Sequence, residues 1–262
     1  MKKNVIRIIQ LILIAIIIFS VYKILNYKQT EKEFDIKDSI IKEDIKIWEE
    51  EKTNNTTKIE PIKETQSEDE PVVEEKSVDE IESEKIAYLK EKYPAIIAWI
   101  KIPGTSIDLP VVQGKDNVFY LNHDYKGDYD VFGTVFMEVA NESDFSDQNS
   151  TLYGHNVRSG KVFHELHKYR EDDFVKTAPI IEISNLNGLY RYRIFAAYIS
   201  DPIDNYRIAN YDDKEFEKLY NRILKNNILD VELPENFDKF LTLQTCADRN
   251  KRLIIHAIYI ED

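Results

Sequence analysis

Hydrophobic residues follow three regimes along this chain. From about Ile8 to Leu25 they form one apolar run, interrupted only by Gln10, Ser20, Tyr22 and Lys23. A bilayer core is spanned by roughly 20 such residues, so the run predicts a transmembrane helix. Lys2, Lys3 and Arg7 precede it and acidic sequence follows Lys32, which by the positive-inside rule places the N-terminus in the cytoplasm and the rest of the chain outside. No small-x-small cleavage site follows, so the run reads as an uncleaved signal anchor. In the second regime, Phe34, Ile36, Ile40, Ile41, Ile45, Ile47 and Trp48 recur among Lys, Asp and Glu, the pattern of a helix with a broad apolar face. Between about Lys52 and Glu84 large apolar residues thin out and Glu68-Asp69-Glu70 and Glu74-Glu75 appear, which predicts a disordered, self-repelling tether.

The third regime begins near Ser83. Ile86, Leu89 and Tyr93 have helical spacing that stops at Pro94. Short β-branched and aromatic segments follow, bounded by Gly, Pro, Asn and Asp: Ile97–Ile102, Leu109–Gln113, Gly133–Val139, Ser150–Tyr153, Ile180–Ile183, Tyr190–Tyr198, Phe240–Gln244 and Leu253–Ile260. These eight candidates predict a mainly β fold, a closed or nearly closed barrel. Tyr190, Tyr192 and Tyr198 are read as one face of a strand. Two helical stretches interrupt the strands. Val162–Tyr169 is short, whereas Asp212–Lys225 places Phe216, Leu219, Tyr220, Ile223 and Leu224 on one face. The chain thus divides into an anchor with its cytoplasmic tip (1–26), an acidic, partly helical then disordered linker (27–82) and a folded domain (83–262).

Composition narrows the function. A net charge of −13 excludes a nucleic-acid binder, because phosphate recognition requires a basic surface, and points to a peptide or protein partner. The chain has a single cysteine, Cys246, so no internal disulfide can form. An unpaired thiol outside the cell is a candidate nucleophile.

Cysteine attack on an amide requires a thiolate, a proton donor for the departing amine and a site for the oxyanion. Cys246 ends a predicted strand, and Arg252 opens the next across the polar loop Ala247–Lys251. That hairpin would return the guanidinium beside the sulfur. His155 also stands at a strand end, where Gly154 is expected to permit a tight turn. Arg249 competes with Arg252 but falls in the turn. His123, His164, His167 and His256 receive no catalytic role. His164-Glu165-Leu166-His167 lacks the spacing of a zinc helix, and neither a metal nor another cofactor is expected.

The segments Thr242-Leu243-Gln244-Thr245-Cys246, Lys251-Arg252 and Tyr153-Gly154-His155-Asn156 together resemble the catalytic signature of sortases. Ala98–Ile102 with Ile107–Gly114, Gly133–Met137 and the helix before the last two strands resemble class B of that family. The resemblance covers roughly 83–262 and implies an eight-stranded sortase-type barrel with an N-terminal helix. It also implies that Cys246 attacks the carbonyl of a Thr in a cell-wall sorting signal. His155 would protonate the departing amine and later deprotonate the incoming one, while Arg252 and the Ala247 N–H hold the oxyanion. Asn117, Tyr153 and Tyr206 would line the groove, with Gln244 and Thr245 beside the nucleophile. The implied partners are sorting-signal-bearing surface proteins and a peptidoglycan precursor or cross-bridge amine. Ala247 and Gln244 depart from the acidic residue and serine of some class B members, which bears on substrate preference. A pilin polymerase or thiol hydrolase using the same triad, and a non-catalytic surface binding module, are the competing readings.

Overall fold

Helix α1 runs from Lys2 to Thr56 without a break. It joins the apolar run and the Phe34–Trp48 segment that the sequence pattern separates. The residues between them, Tyr27 to Glu33, include Lys, Gln and Glu and contain no Gly or Pro that would stop a helix. Ile8 to Leu25 are exposed on every face, as suits a helix surrounded by lipid. Among the described residues this is the one helix long and apolar enough to cross a membrane. The computed structural model describes residues 2–56, 76–171, 173–202, 204–234, 237–247 and 250–261, so the middle of the predicted disordered tether lies outside the described residues.

The chain divides into two compact units, Met1–Asp44 and Ile45–Asp262. The second takes in the C-terminal turns of α1. Within it, the Trp48 and Tyr88 rings stack at 6.4 Å, and Lys52 pairs with Glu84 at 2.9 Å. Helix α2 (Val78–Lys92) also starts earlier than the apolar spacing indicates, because Ser77 and Glu80 form a reciprocal capping box. Ile86 and Leu89 form its buried stripe, and Pro94 ends it.

All eight predicted barrel strands are present. They are β1 (Ile96–Lys101), β2 (Asp108–Gln113), β3 (Val135–Met137), β4 (Asn149–Tyr153), β7 (Ile180–Asn185), β8 (Gly188–Ser200), β9 (Phe240–Cys246) and β10 (Arg252–Ile260). A small hairpin, β5 (Asn156–Val157) with β6 (Lys161–Val162), leaves the barrel after β4. The predicted helix near Val162 is a 3-10 segment, His164–Arg170, followed by the short α3 (Phe174–Thr177). The barrel closes in the order β1-β2-β3-β4-β9-β10-β8-β7, with β2/β3 and β4/β9 parallel. The β4/β9 contact matters most, since it sets the ends of two strands distant in sequence side by side.

One strand face departs from simple alternation. His256 pairs with Ala196 and Ala257 with Ile194, so Phe195 is an extra residue in β8. The bulge reverses the pleat, placing Tyr198 on the face opposite Tyr190 and Tyr192. Tyr198 consequently joins Phe195, Phe237, Phe240 and Ile254 beneath α4 (Asp213–Asn226), whose Leu219 and Ile223 complete that cluster. Each such fully buried side chain contributes roughly 1.5–3 kcal/mol.

The polar groups buried here are chained together. His256 is fully buried between the Tyr198 hydroxyl and Thr242 Oγ1, each at 2.9 Å, and Thr242 donates to Asn149 Oδ1 at 2.7 Å. Burial, with a smaller contribution from Arg222, depresses the His256 pKa to about 3. Between pH 6.5 and about 3 the unfolded chain therefore takes up a proton that the folded one refuses, and stability falls as pH falls. At about 1.4 kcal/mol per unit, His256 is expected to cost roughly 2 kcal/mol between pH 6.5 and 5. Denaturant unfolding of the parent and His256→Gln at the two pH values checks this; an equal loss in both chains would refute it.

Candidate active site

The strand ends place the candidate residues around one open cleft of about 240 Å³, lined by Cys246, His155, Arg252, Asn117, Tyr153, Gln244 and Thr245 among others. Cys246 and Arg252 stand directly opposite each other in the β9/β10 register. In an antiparallel pair opposite residues project from the same face, so the guanidinium and the thiol share the cleft. Cys246 is half-buried and free. Arg249 lies outside the described residues.

His155 follows the β4 end, whose Tyr153 is aligned with Gln244 of β9. Its Nε2 is 2.6 Å from the Leu121 carbonyl oxygen. A carbonyl only accepts, so Nε2 carries the hydrogen and Nδ1 is the nitrogen left to exchange a proton. The loop bearing Leu121 is held by a close approach: Gly133 has φ 63°, and a Cβ there would lie 2.4 Å from the Tyr120 oxygen and 2.7 Å from that of Leu121. Gly154 serves a different purpose from the expected tight turn. A Cβ on it would lie 2.6 Å from the Phe163 ring, so this glycine lets the 3-10 segment that follows Phe163 pack against the strand end.

The groove residues sort into layers. Asn117 and Tyr153 both hydrogen-bond to the buried carboxylate of Glu138, and the Val139 N–H donates to Asn117 Oδ1 at 2.9 Å. Burial, then Glu138, keeps the Tyr153 phenol protonated far above its usual range. Tyr206 is fully buried, one layer behind the groove wall, and donates to Gln244 Oε1 at 2.6 Å. Asn149 holds that segment through the carbonyls of Tyr206 (3.1 Å) and Ile208 (3.0 Å). The segment presents Arg207 to the cleft, a residue the sequence pattern does not single out. Burial opposes the charge of Arg207, but Tyr153 and Tyr206 beside it outweigh that and raise its pKa. Thr245 is buried, and its hydroxyl has no hydrogen-bond partner among the described residues.

Two further findings change the expected picture. The Ala247 N–H, expected to complete an oxyanion hole, donates to the Lys251 carbonyl at 3.0 Å and closes the β9/β10 turn. Asn156 and His167, which the sequence pattern does not single out, both contact the Cys246 carbonyl. Burial lowers the His167 pKa, against the opposing effect of that hydrogen bond.

A sortase-domain family model matches residues 100–259. Sortase B of Staphylococcus aureus is 32% identical over 172 residues, covering 63% of this chain and 70% of that protein. The structure of the S. aureus sortase B-substrate complex superposes with a TM-score of 0.63 at 30% identity, covering 68% of this chain and 86% of the other. A Streptococcus pyogenes class B sortase involved in pilus biogenesis gives a TM-score of 0.57 at 29% identity, covering 64% and 93%. The strand order, the cleft and these likenesses agree, and this chain belongs to the sortase family of cysteine transpeptidases, with class B members as its relatives.

Proposed function

We propose that this transpeptidase cleaves a cell-wall sorting signal after a Thr and joins the released protein to a peptidoglycan cross-bridge amine. The observation that carries the reading is the convergence of Cys246, Arg252 and His155 on one cleft from three strand ends. In this reading the Cys246 sulfur adds to the Thr carbonyl carbon, and the negative charge moves to oxygen beside Arg252. The C–N bond then breaks as His155 delivers a proton to the departing amine, leaving a thioacyl-enzyme. An incoming amine gives a proton back to His155, attacks the thioester carbonyl and releases the thiolate. Two guanidiniums in the cleft of a chain with net charge −13 favour a peptide rich in carbonyl or carboxylate oxygens. The basic residues before the apolar run support a cytoplasmic N-terminus and a domain facing the wall.

Full-length protein in detergent micelles is expected to cleave members of a peptide library with a fixed Thr, giving the free acid alone and an amide product when oligoglycine or another primary amine is added. Absence of cleavage across the library would overturn the reading. The pilus role of the S. pyogenes relative favours a second reading, in which a lysine of another surface protein is the acceptor. Product formed with a lysine-bearing protein, but with no small amine, would select it.

A further inference from the structure

Two side chains with no part in acyl transfer converge on the backbone of the nucleophile. Asn156 Nδ2 donates to the Cys246 carbonyl at 3.0 Å, and His167 Nε2 lies 2.9 Å from the same oxygen. Asn156 Nδ2 also lies 2.9 Å from His167 Nε2, so amide, imidazole and carbonyl form a triangle in which Nε2 donates to the oxygen in one tautomer and accepts from the amide in the other. His164 Nδ1 sits 2.6 Å from Asn156 Oδ1, which orients the amide with its donor toward Cys246.

The strand geometry explains why the oxygen needs partners. In the parallel β4/β9 ladder, the Gln244 carbonyl accepts from the Gly154 N–H at 3.1 Å. Carbonyls two residues apart on a strand point the same way, so the Cys246 oxygen faces where the next β4 donor would stand. The chain has by then left the barrel to form β5, and side chains occupy the place of the missing backbone donor. The Gly154–Phe163 packing brings the 3-10 segment carrying His164 and His167 to that place.

We infer that Asn156 and His167, backed by His164, form a clamp on the Cys246 carbonyl that fixes the thiol relative to the His155 imidazole. Asn156 directly follows His155, so one stretch of backbone carries both the acid-base and half of the clamp. Asn156 and His167 are positioning residues, and the inference rests on the proposed roles of Cys246 and His155. A displacement of about 1 Å at a reacting pair can cost about 10²-fold in rate.

The test uses full-length protein in micelles, a peptide that the parent cleaves, and alkylation of the single cysteine by iodoacetamide. Asn156→Leu and His167→Phe are each expected to lower kcat about 10- to 100-fold. KM should stay within about twofold, since the groove contacts are untouched. Both should also alter the Cys246 alkylation rate. His167→Gln, whose amide can place an N–H near the Nε2 position, is expected to recover kcat to within about threefold of the parent. Parent-like turnover in Asn156→Leu and His167→Phe overturns the clamp, as does His167→Gln as slow as His167→Phe. If His167→Phe fails to fold, Asn156→Leu decides by the same criterion. Turnover surviving in Cys246→Ala would remove the nucleophile reading and the clamp together, whereas an inactive Cys246→Ala beside parent-like clamp variants removes the clamp alone.

Discussion

Cys246→Ala is expected to lower transpeptidation by at least about 10⁴-fold and to eliminate the thioacyl adduct, because the proposed thioester can form only on a thiol. The chain has one cysteine, so no neighbouring thiol can substitute for it. Intact-mass measurement after mixing with a cleavable peptide should show the parent gaining the acyl fragment and the variant unchanged. Stability provides the control. Cys246 is half-buried at the end of β9, and loss of its sulfur leaves every backbone bond of the β9/β10 hairpin in place. The shift in unfolding free energy is expected to stay within about 1 kcal/mol. A variant that retains comparable turnover would require a different nucleophile and would sink the proposed mechanism.

The barrel strands are legible in the sequence because each is a short apolar run closed off by turn residues. The hairpin that sets Arg252 opposite Cys246 is legible too, since it depends only on a short loop. The parallel β4/β9 pairing is not. It joins segments far apart in the chain, and nothing local to either one marks the other as its neighbour. Tyr153-Gly154-His155 and Gln244-Thr245-Cys246 could therefore be matched through family resemblance, while their alignment needed the fold.

The supporting residues were hidden for a related reason. His167 and Asn156 bind a backbone carbonyl, and a carbonyl leaves no trace in a sequence. The His164-x-x-His167 spacing is visible in the sequence, but it carries no sign that the two imidazoles meet Asn156 and the Cys246 carbonyl. Glu138 and Arg207 act through Tyr153 across the cleft wall, a contact among side chains from β4 and two separate loops. Family resemblance places Tyr206 in the groove lining, yet the side chain is fully buried in a segment whose Tyr206 and Ile208 carbonyls accept from Asn149. The bulge at Phe195 shows the limit of counting by twos: one inserted residue turned Tyr198 from the face of Tyr192 to the packing under α4.

His155→Ala is expected to slow amide cleavage about 10³-fold, within the range for loss of a positioned acid-base group, with little change in KM. The decisive feature is the leaving group. An amine cannot depart from the tetrahedral intermediate as an anion, so in the proposed mechanism it needs a proton from the His155 imidazole, whose Nε2 is held at the Leu121 carbonyl. An aryl ester of the same acyl peptide departs without that proton. On such an ester the His155→Ala enzyme is expected to acylate within about tenfold of the parent, while Cys246→Ala forms no adduct with either substrate. The two residues are thereby separated by one change in substrate. Equal losses on amide and ester would mean that His155 serves the thiol and not the departing amine. A deficit confined to the amide means that His155 acts on the departing amine, and that the imidazole held at the Leu121 carbonyl is the acid of the proposed cleavage step.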